Sequence, residues 1–161
     1  MDNNLEERKD LQQSESLKYI MEVCNAYSHN YQNELELRAL QELSVDQTTL
    51  WGYIILRREI MEGGFVQLIH NGYGKFFFEN PFAAMLKQWG LRDLSKLVYE
   101  ARKLYWKFGN EIVKDCTDEE FMAMFEKYEK FDKYDDDFVE NEQAFTDEVA
   151  NYVKNNEDSF K

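Results

Sequence analysis

The sequence predicts an all-α fold, a single compact domain of six to eight helices. Three observations carry that reading. Apolar residues recur three and four positions apart along most of the chain, which gathers them on one face of a helix. Two boxes, Ser44-Val-Asp-Gln47 and Thr117-Asp-Glu-Glu120, have the Ser/Thr-x-x-Gln/Glu form that opens helices. There is one proline and no sustained alternation of apolar and polar residues, so no strand is expected.

The elements follow in chain order. Residues 1–13 are polar and read as a flexible lead-in to a domain over 14–161. Leu17, Ile20, Met21, Cys24 and Tyr27 mark a first helix from about Ser16. Leu37, Leu40 and Leu43 predict a second, with its apolar face at three-residue steps. The Ser44 box opens a third, through Leu50, Tyr53, Ile54, Ile60 and Met61. Gly63-Gly64 should end it, since a helix favours a left-handed residue there. Phe65, Leu68 and Ile69 then form one face of a short helix that Asn71-Gly72 closes, and Gly74 allows a further turn. Phe76-Phe77-Phe78 reads as a short extended segment. Asn80-Pro81 is read as N-cap and first residue of the next helix, which ends at Trp89-Gly90. Asp93 is expected to cap a long helix with Leu94, Leu97, Val98, Ala101, Leu104, Tyr105, Phe108 and Ile112 buried. The Thr117 box opens a helix carrying Phe121, Met124, Phe125 and Tyr128, and a last helix is expected over roughly 141–154 through Phe145, Val149 and Tyr152.

A chain of 161 residues with 43% hydrophobic and 16% aromatic content suits one domain with a real core. Nothing approaches the roughly 18 apolar residues of a membrane span. The first residues lack the apolar stretch of a signal peptide. Two cysteines give no disulfide framework, and a cytoplasmic protein is expected. The net charge is −13, and it is concentrated. Residues 1–114 carry 16 acids and 14 bases, whereas residues 115–161 carry 16 acids and 5 bases. Direct nucleic-acid binding, which rests on cations neutralising phosphates, is disfavoured. A basic partner is favoured.

The glycine-rich stretch 61–74 matches neither Gly-x-x-x-x-Gly-Lys-Ser/Thr nor Gly-x-Gly-x-x-Gly, so it reads as a helix joint and not a phosphate cradle. Cys24, His29, His70 and Cys116 lack the close spacing of zinc ligands. A Cys–His nucleophilic pair is disfavoured because Cys24 lies on an apolar helix stripe, where cysteine behaves as a small hydrophobe. The acidic run 132–143 puts Tyr134, Asp137 and Gln143 where a calcium loop needs an oxygen ligand, glycine and glutamate. No pair of carboxylates stands out as a glycosidase dyad. The chain is therefore read as a non-enzyme with no cofactor and no metal. Its candidate binding surface is the acidic face of Asp132, Asp135, Asp136, Asp137, Glu140 and Glu142, with Tyr134, Phe138 and Val139 as anchors. On a helix, carboxylates three or four apart stand roughly 4.5–6 Å apart along the axis. A DNA strand carries a phosphate about every 3.4 Å of axis.

One stretch also resembles a known family. Glu62-Gly63-Gly64-Phe65, Gln67 and Asn71-Gly72-Tyr73-Gly74, supported by ENPFAAMLKQWGLRDLSKLVYEARKLY over 79–105, resemble the core of a bacterial domain-of-unknown-function family that includes acidic dsDNA-mimic proteins. Members often carry Asn where this chain has Glu62. The resemblance covers roughly residues 50–115 and marks a fold, not an active site. It implies an all-helical homodimer whose carboxylates imitate DNA phosphates and occupy a DNA-binding protein, such as a transcriptional repressor or nucleoid protein. The expected function is thus that of an acidic protein that binds a basic DNA-binding protein and competes with DNA. The alternatives are an immunity or antitoxin protein against a basic nuclease, a small enzyme using the glycine-rich turn and His70, and a helical scaffold whose acidity has no specific use.

Overall fold

A computed structural model describes residues 13–32, 35 and 37–161. Except for Gln13, the expected lead-in lies outside the described residues. Seven α-helices occur among the described residues, with no strand. They are α1 Glu15–Ser28, α2 Leu37–Glu42, α3 Val45–His70, α4 Phe82–Gln88, α5 Arg92–Ile112, α6 Asp118–Lys127 and α7 Asp132–Asn155. Among the described residues no helix is long and apolar enough to cross a membrane.

Both capping boxes form as read. Ser44 Oγ accepts from Gln47 N–H at 3.1 Å while Gln47 Oε1 accepts from Ser44 N–H at 2.9 Å. Thr117 and Glu120 exchange the equivalent pair at 3.1 and 3.3 Å. Each satisfies two N–H groups that a bare helix start would leave unpaired.

Helix α3 is the axis of the fold. It contacts α1, α2, α4, α5 and α7, so Leu50, Trp51, Tyr53, Ile55, Leu56 and Ile60 are buried around its circumference. A helix surrounded in this way is apolar over most of its circumference, and Arg58, Met61 and Glu62 mark the side left to solvent. The amphipathic α5 and α7 pack along it and against each other. Burying each large side chain contributes roughly 1.5–3 kcal/mol.

Four expectations are corrected. Helix α2 does not bury its leucine face: Leu37 is 71% exposed, and the buried residue is Ala39. A six-residue helix meets α3 closely only through a small side chain. Phe76-Phe77-Phe78 is not extended but forms a π-helical turn, Lys75–Glu79. The wider turn sends the three rings into three different slots. Phe76 lies in the space left by Gly52, Phe77 meets Phe82 edge-on at 5.0 Å, and Phe78 stacks on Tyr105 at 4.8 Å. Strand alternation would send the first and third rings to one side. Neither expected polar cap forms. Asn80 turns its amide back to the Lys75 carbonyl at 3.5 Å, with Pro81 as the cap of α4, and Asp93 lies inside the first turn of α5. Finally, the last helix begins at Asp132, not near 141. Acids in its first turn are favoured by the positive end of the helix dipole.

Candidate functional site

The acidic run is the first half of α7, and its helical phase is set by aromatic residues. Phe131, Phe138 and Phe145, seven apart, are buried. The opposite side carries Asp132, Asp136 and Glu140 in steps of four, with Asp137 beside them, all exposed. The four-residue step puts successive carboxylates about 6 Å apart along the axis. Asn141 donates to both the carbonyl and the carboxylate of Asp137, at 2.8 and 3.2 Å.

The other two acids of the predicted face turn inward, onto α3. Glu142 accepts from Arg57 Nε at 2.6 Å and from Thr146 Oγ1 at 2.9 Å. Because Thr146 spends its proton on Glu142, it is Tyr53 that donates to Thr146, at 2.7 Å. Asp135 accepts the Phe65 N–H on Oδ1 at 2.8 Å. Burial, reinforced by Asp132 and Asp136, pushes the Asp135 carboxyl up to about 7.

That last contact explains the glycine pair. Helix α3 breaks at Gly64, whose φ of 73° and ψ of −172° belong to a region essentially reserved for glycine. The break leaves the Phe65 N–H without an intrahelical partner, and Asp135 supplies one, as an N-cap side chain would. A β-carbon on Gly64 would collide with the Asp135 carboxylate. Phe65 itself is a core ring, 6.3 Å from both Phe78 and Phe131.

The remaining motif residues also act structurally. Gln67 Nε2 and Asn71 Nδ2 both donate to Glu59 Oε2 at 2.9 Å, and Arg58 pairs with the other oxygen at 3.1 Å. Glu59 is buried, so these donors are what make its charge tolerable there. The bare α-carbon of Gly63 gives Gln67 the space to lie along the row. Gly72, at φ 91°, ends the second half-helix, and a β-carbon on Gly74 would stand 2.5 Å from the Tyr105 ring. Sequence reasoning missed Glu59, although Glu59, Gly63, Gln67 and Asn71 stand four apart in one row.

His70 lies at the end of α3, its ring 4.7 Å from Phe121. Its Nδ1 is 2.7 Å from the Ile112 carbonyl, which can only accept, so Nδ1 carries the proton. A cleft of about 460 Å³ is lined by His70, Cys116 and the Glu59 cluster. The Cys116 thiol is pushed up by desolvation and by Glu120, Asp115 and Asp118. Burial raises Cys24 to about 11. Both shifts oppose the thiolate a nucleophile requires. His29 ends α1, bonded to the Asn25 carbonyl at 3.0 Å. Among the described residues no three His, Cys, Asp or Glu side chains converge as metal ligands.

Comparison with known proteins bears on the same elements. A family model described as DMP19-like protein matches residues 41–156. That span includes the broken α3 and all of α7, well beyond the 50–115 stretch that carries the visible resemblance. A curated relative, the DNA mimic protein DMP19 of Neisseria meningitidis serogroup B (strain ATCC BAA-335 / MC58), is 30% identical over 155 residues, covering 94% of this chain and 92% of its own. Matched from the cap of α3 to the end of α7, and aligned with that relative over nearly its whole length, the chain belongs to the DMP19-like protein family.

Proposed function

We propose that this protein acts by binding, not catalysis, as a DNA mimic. In this reading the outward row of α7, Asp132, Asp136, Asp137 and Glu140, meets the basic surface of a cytoplasmic DNA-binding protein, a transcription factor or nucleoid protein, and competes with DNA. The observation that carries it is the exposed row itself: four carboxylates on one rigid helix, without an ion-pair partner among the described residues, in the part of the chain that holds most of the excess negative charge. Membership of the family of a DNA mimic protein supports the same reading. A helix fixes the spacing of the charges before the partner arrives, so less ordering entropy opposes binding than for a flexible acidic tail.

Two variants test it. One replaces the outward residues, Asp132→Asn, Asp136→Asn, Asp137→Asn and Glu140→Gln. The other replaces only the inward pair, Asp135→Asn and Glu142→Gln. Each is immobilised beside wild type, exposed to host lysate, and eluted with a salt gradient. A basic DNA-binding protein should be held by wild type and by the inward variant, released by moderate salt, displaced by duplex DNA, and lost by the outward variant. Retention by the outward variant, or a complex indifferent to salt, would sink the proposal. Recovery of a nuclease toxin in its place would favour the immunity-protein alternative.

A further inference from the structure

Against the chain's negative charge, helix α5 presents the opposite sign. Lys96, Lys103 and Lys107 fall within about 40° of one another around the helix, and all three are exposed. Tyr99, Trp106 and Val113 form the adjoining row at seven-residue steps, 36%, 61% and 46% exposed. We infer that this ridge is a second docking surface, shaped for a single acidic helix of another protein.

The lysines are not committed to the chain's own acids. Among the described residues neither Lys96 nor Lys107 has a carboxylate within ion-pair distance, although acids outnumber bases 32 to 19. Lys103 makes one exposed pair with Glu100 at 3.3 Å, and such pairs contribute little. Beside them Trp106 and Val113 stand largely in water and Tyr99 carries the Arg102 guanidinium 5.1 Å above its ring; tryptophan, tyrosine and arginine are the residue types that anchor interfaces. The seven-residue repeat of Tyr99, Trp106 and Val113 is the seam spacing by which one helix receives another. A partner helix with apolar residues on that seam and carboxylates on the flank would satisfy both rows at once.

The same geometry argues against other occupants. A second copy laid antiparallel on this ridge sets lysines against lysines, and like charges facing each other are destabilising. A duplex nucleic acid brings two charged strands, too wide to stay on one helix, and a single strand is the oligonucleotide outcome of the test below. Helix α7 packs beside α5, and the cleft between them, about 480 Å³, is lined by Asp93, Glu100 and Asp137 against Lys96 and Lys133, so it offers a phosphate backbone no net positive charge. A single helix on the apolar row is narrow enough to stay clear of the cleft, and Glu100 at the ridge's edge is already paired with Lys103 at 3.3 Å.

The test uses the full chain and a synthetic three-heptad peptide with leucine on its seam and glutamate on both flanks. The control peptide carries lysine on the flanks. Peptide anisotropy gives affinity, and tryptophan emission reports Trp106, since Trp51 and Trp89 are buried. The glutamate peptide should bind saturably with a blue shift, at least tenfold more tightly than the lysine peptide. Affinity should fall at least tenfold in Lys96→Glu/Lys103→Glu/Lys107→Glu and in Trp106→Ala, both checked for unchanged helicity. The outward α7 variant should bind the peptide like wild type, which separates this surface from the one proposed above. Absence of saturable binding, equal binding of both peptides, or retained binding by the charge-reversed variant overturns the inference. So does sedimentation showing a dimer that Trp106→Ala dissociates, or an oligonucleotide that binds where the acidic peptide does not.

Discussion

The Phe65 amide donates to Asp135 Oδ1 at 2.8 Å across 70 positions of sequence, so the break in the central helix and the first turn of the acidic helix are one structural unit. A gap in α3 would otherwise leave a half-buried N–H unpaired, a cost of about 1–3 kcal/mol.

Gly64→Ala should be among the most damaging single substitutions in the chain. It forces a side chain into a glycine-only region, about 1–3 kcal/mol, and into the Asp135 carboxylate. We expect a loss of about 3 kcal/mol or more in urea unfolding. A wild-type midpoint would mean that α3 is not broken there.

Asp135 gives stability a definite pH dependence. Its carboxyl is raised from 3.8 to about 7 by burial and by Asp132 and Asp136. Between those values the folded chain holds a proton that the unfolded chain has lost, so this group favours folding fully below pH 3.8 and ceases to as pH rises through about 7. Asp135→Asn keeps an oxygen for the Phe65 N–H without a charge. It should therefore raise the melting temperature at pH 8 and flatten the decline between pH 4 and 8. Asp135→Ala also removes the acceptor and should lie about 1 kcal/mol below Asp135→Asn. Melting curves of the three proteins across that range decide the matter.

Glu59→Ala should cost about 2–4 kcal/mol, because it strands the amides of Gln67 and Asn71 beside a buried cavity. Thermal unfolding measures the loss, and the Gln67→Ala/Glu59→Ala double variant should lose less than the sum of the singles. Additive losses would show that the two side chains do not act together.

Removing the outward acids should leave the fold intact. Asp132→Asn, Asp136→Asn, Asp137→Asn and Glu140→Gln together should change stability by about 1 kcal/mol or less, since Asp132 loses a dipole contact while like-charge repulsion is relieved. The same variant should move the Asp135-linked decline to lower pH, because Asp132 and Asp136 no longer hold that carboxyl up. A decline that stays in place would show burial acting alone.

Helix starts at Ser44 and Thr117 were legible because a capping box is local: donor and acceptor sit three residues apart. The division of the acidic run was harder, since composition treats all six acids alike. The signal was nevertheless present. Phe131, Asp135, Phe138, Glu142, Phe145 and Val149 advance by four and three in turn, a buried seam in which two acids alternate with phenylalanines. Glu59 was visible in the same way, at the head of a row of four-residue steps. The π-helical turn at Phe76–Phe78 was not legible, because its shape is dictated by Gly52, Phe82 and Tyr105, which reach it only in the folded chain.

The join between Asp135 and the outer row has a thermodynamic consequence for any cationic ligand of α7. Positive charge brought to Asp132 and Asp136 cancels the repulsion that helps hold the proton on Asp135, so docking and deprotonation are linked. Complex formation near neutral pH should expel a fraction of a proton into the buffer, and affinity should strengthen as pH rises through about 7. Calorimetry in two buffers of different ionisation heat reads that release directly, and Asp135→Asn should silence it.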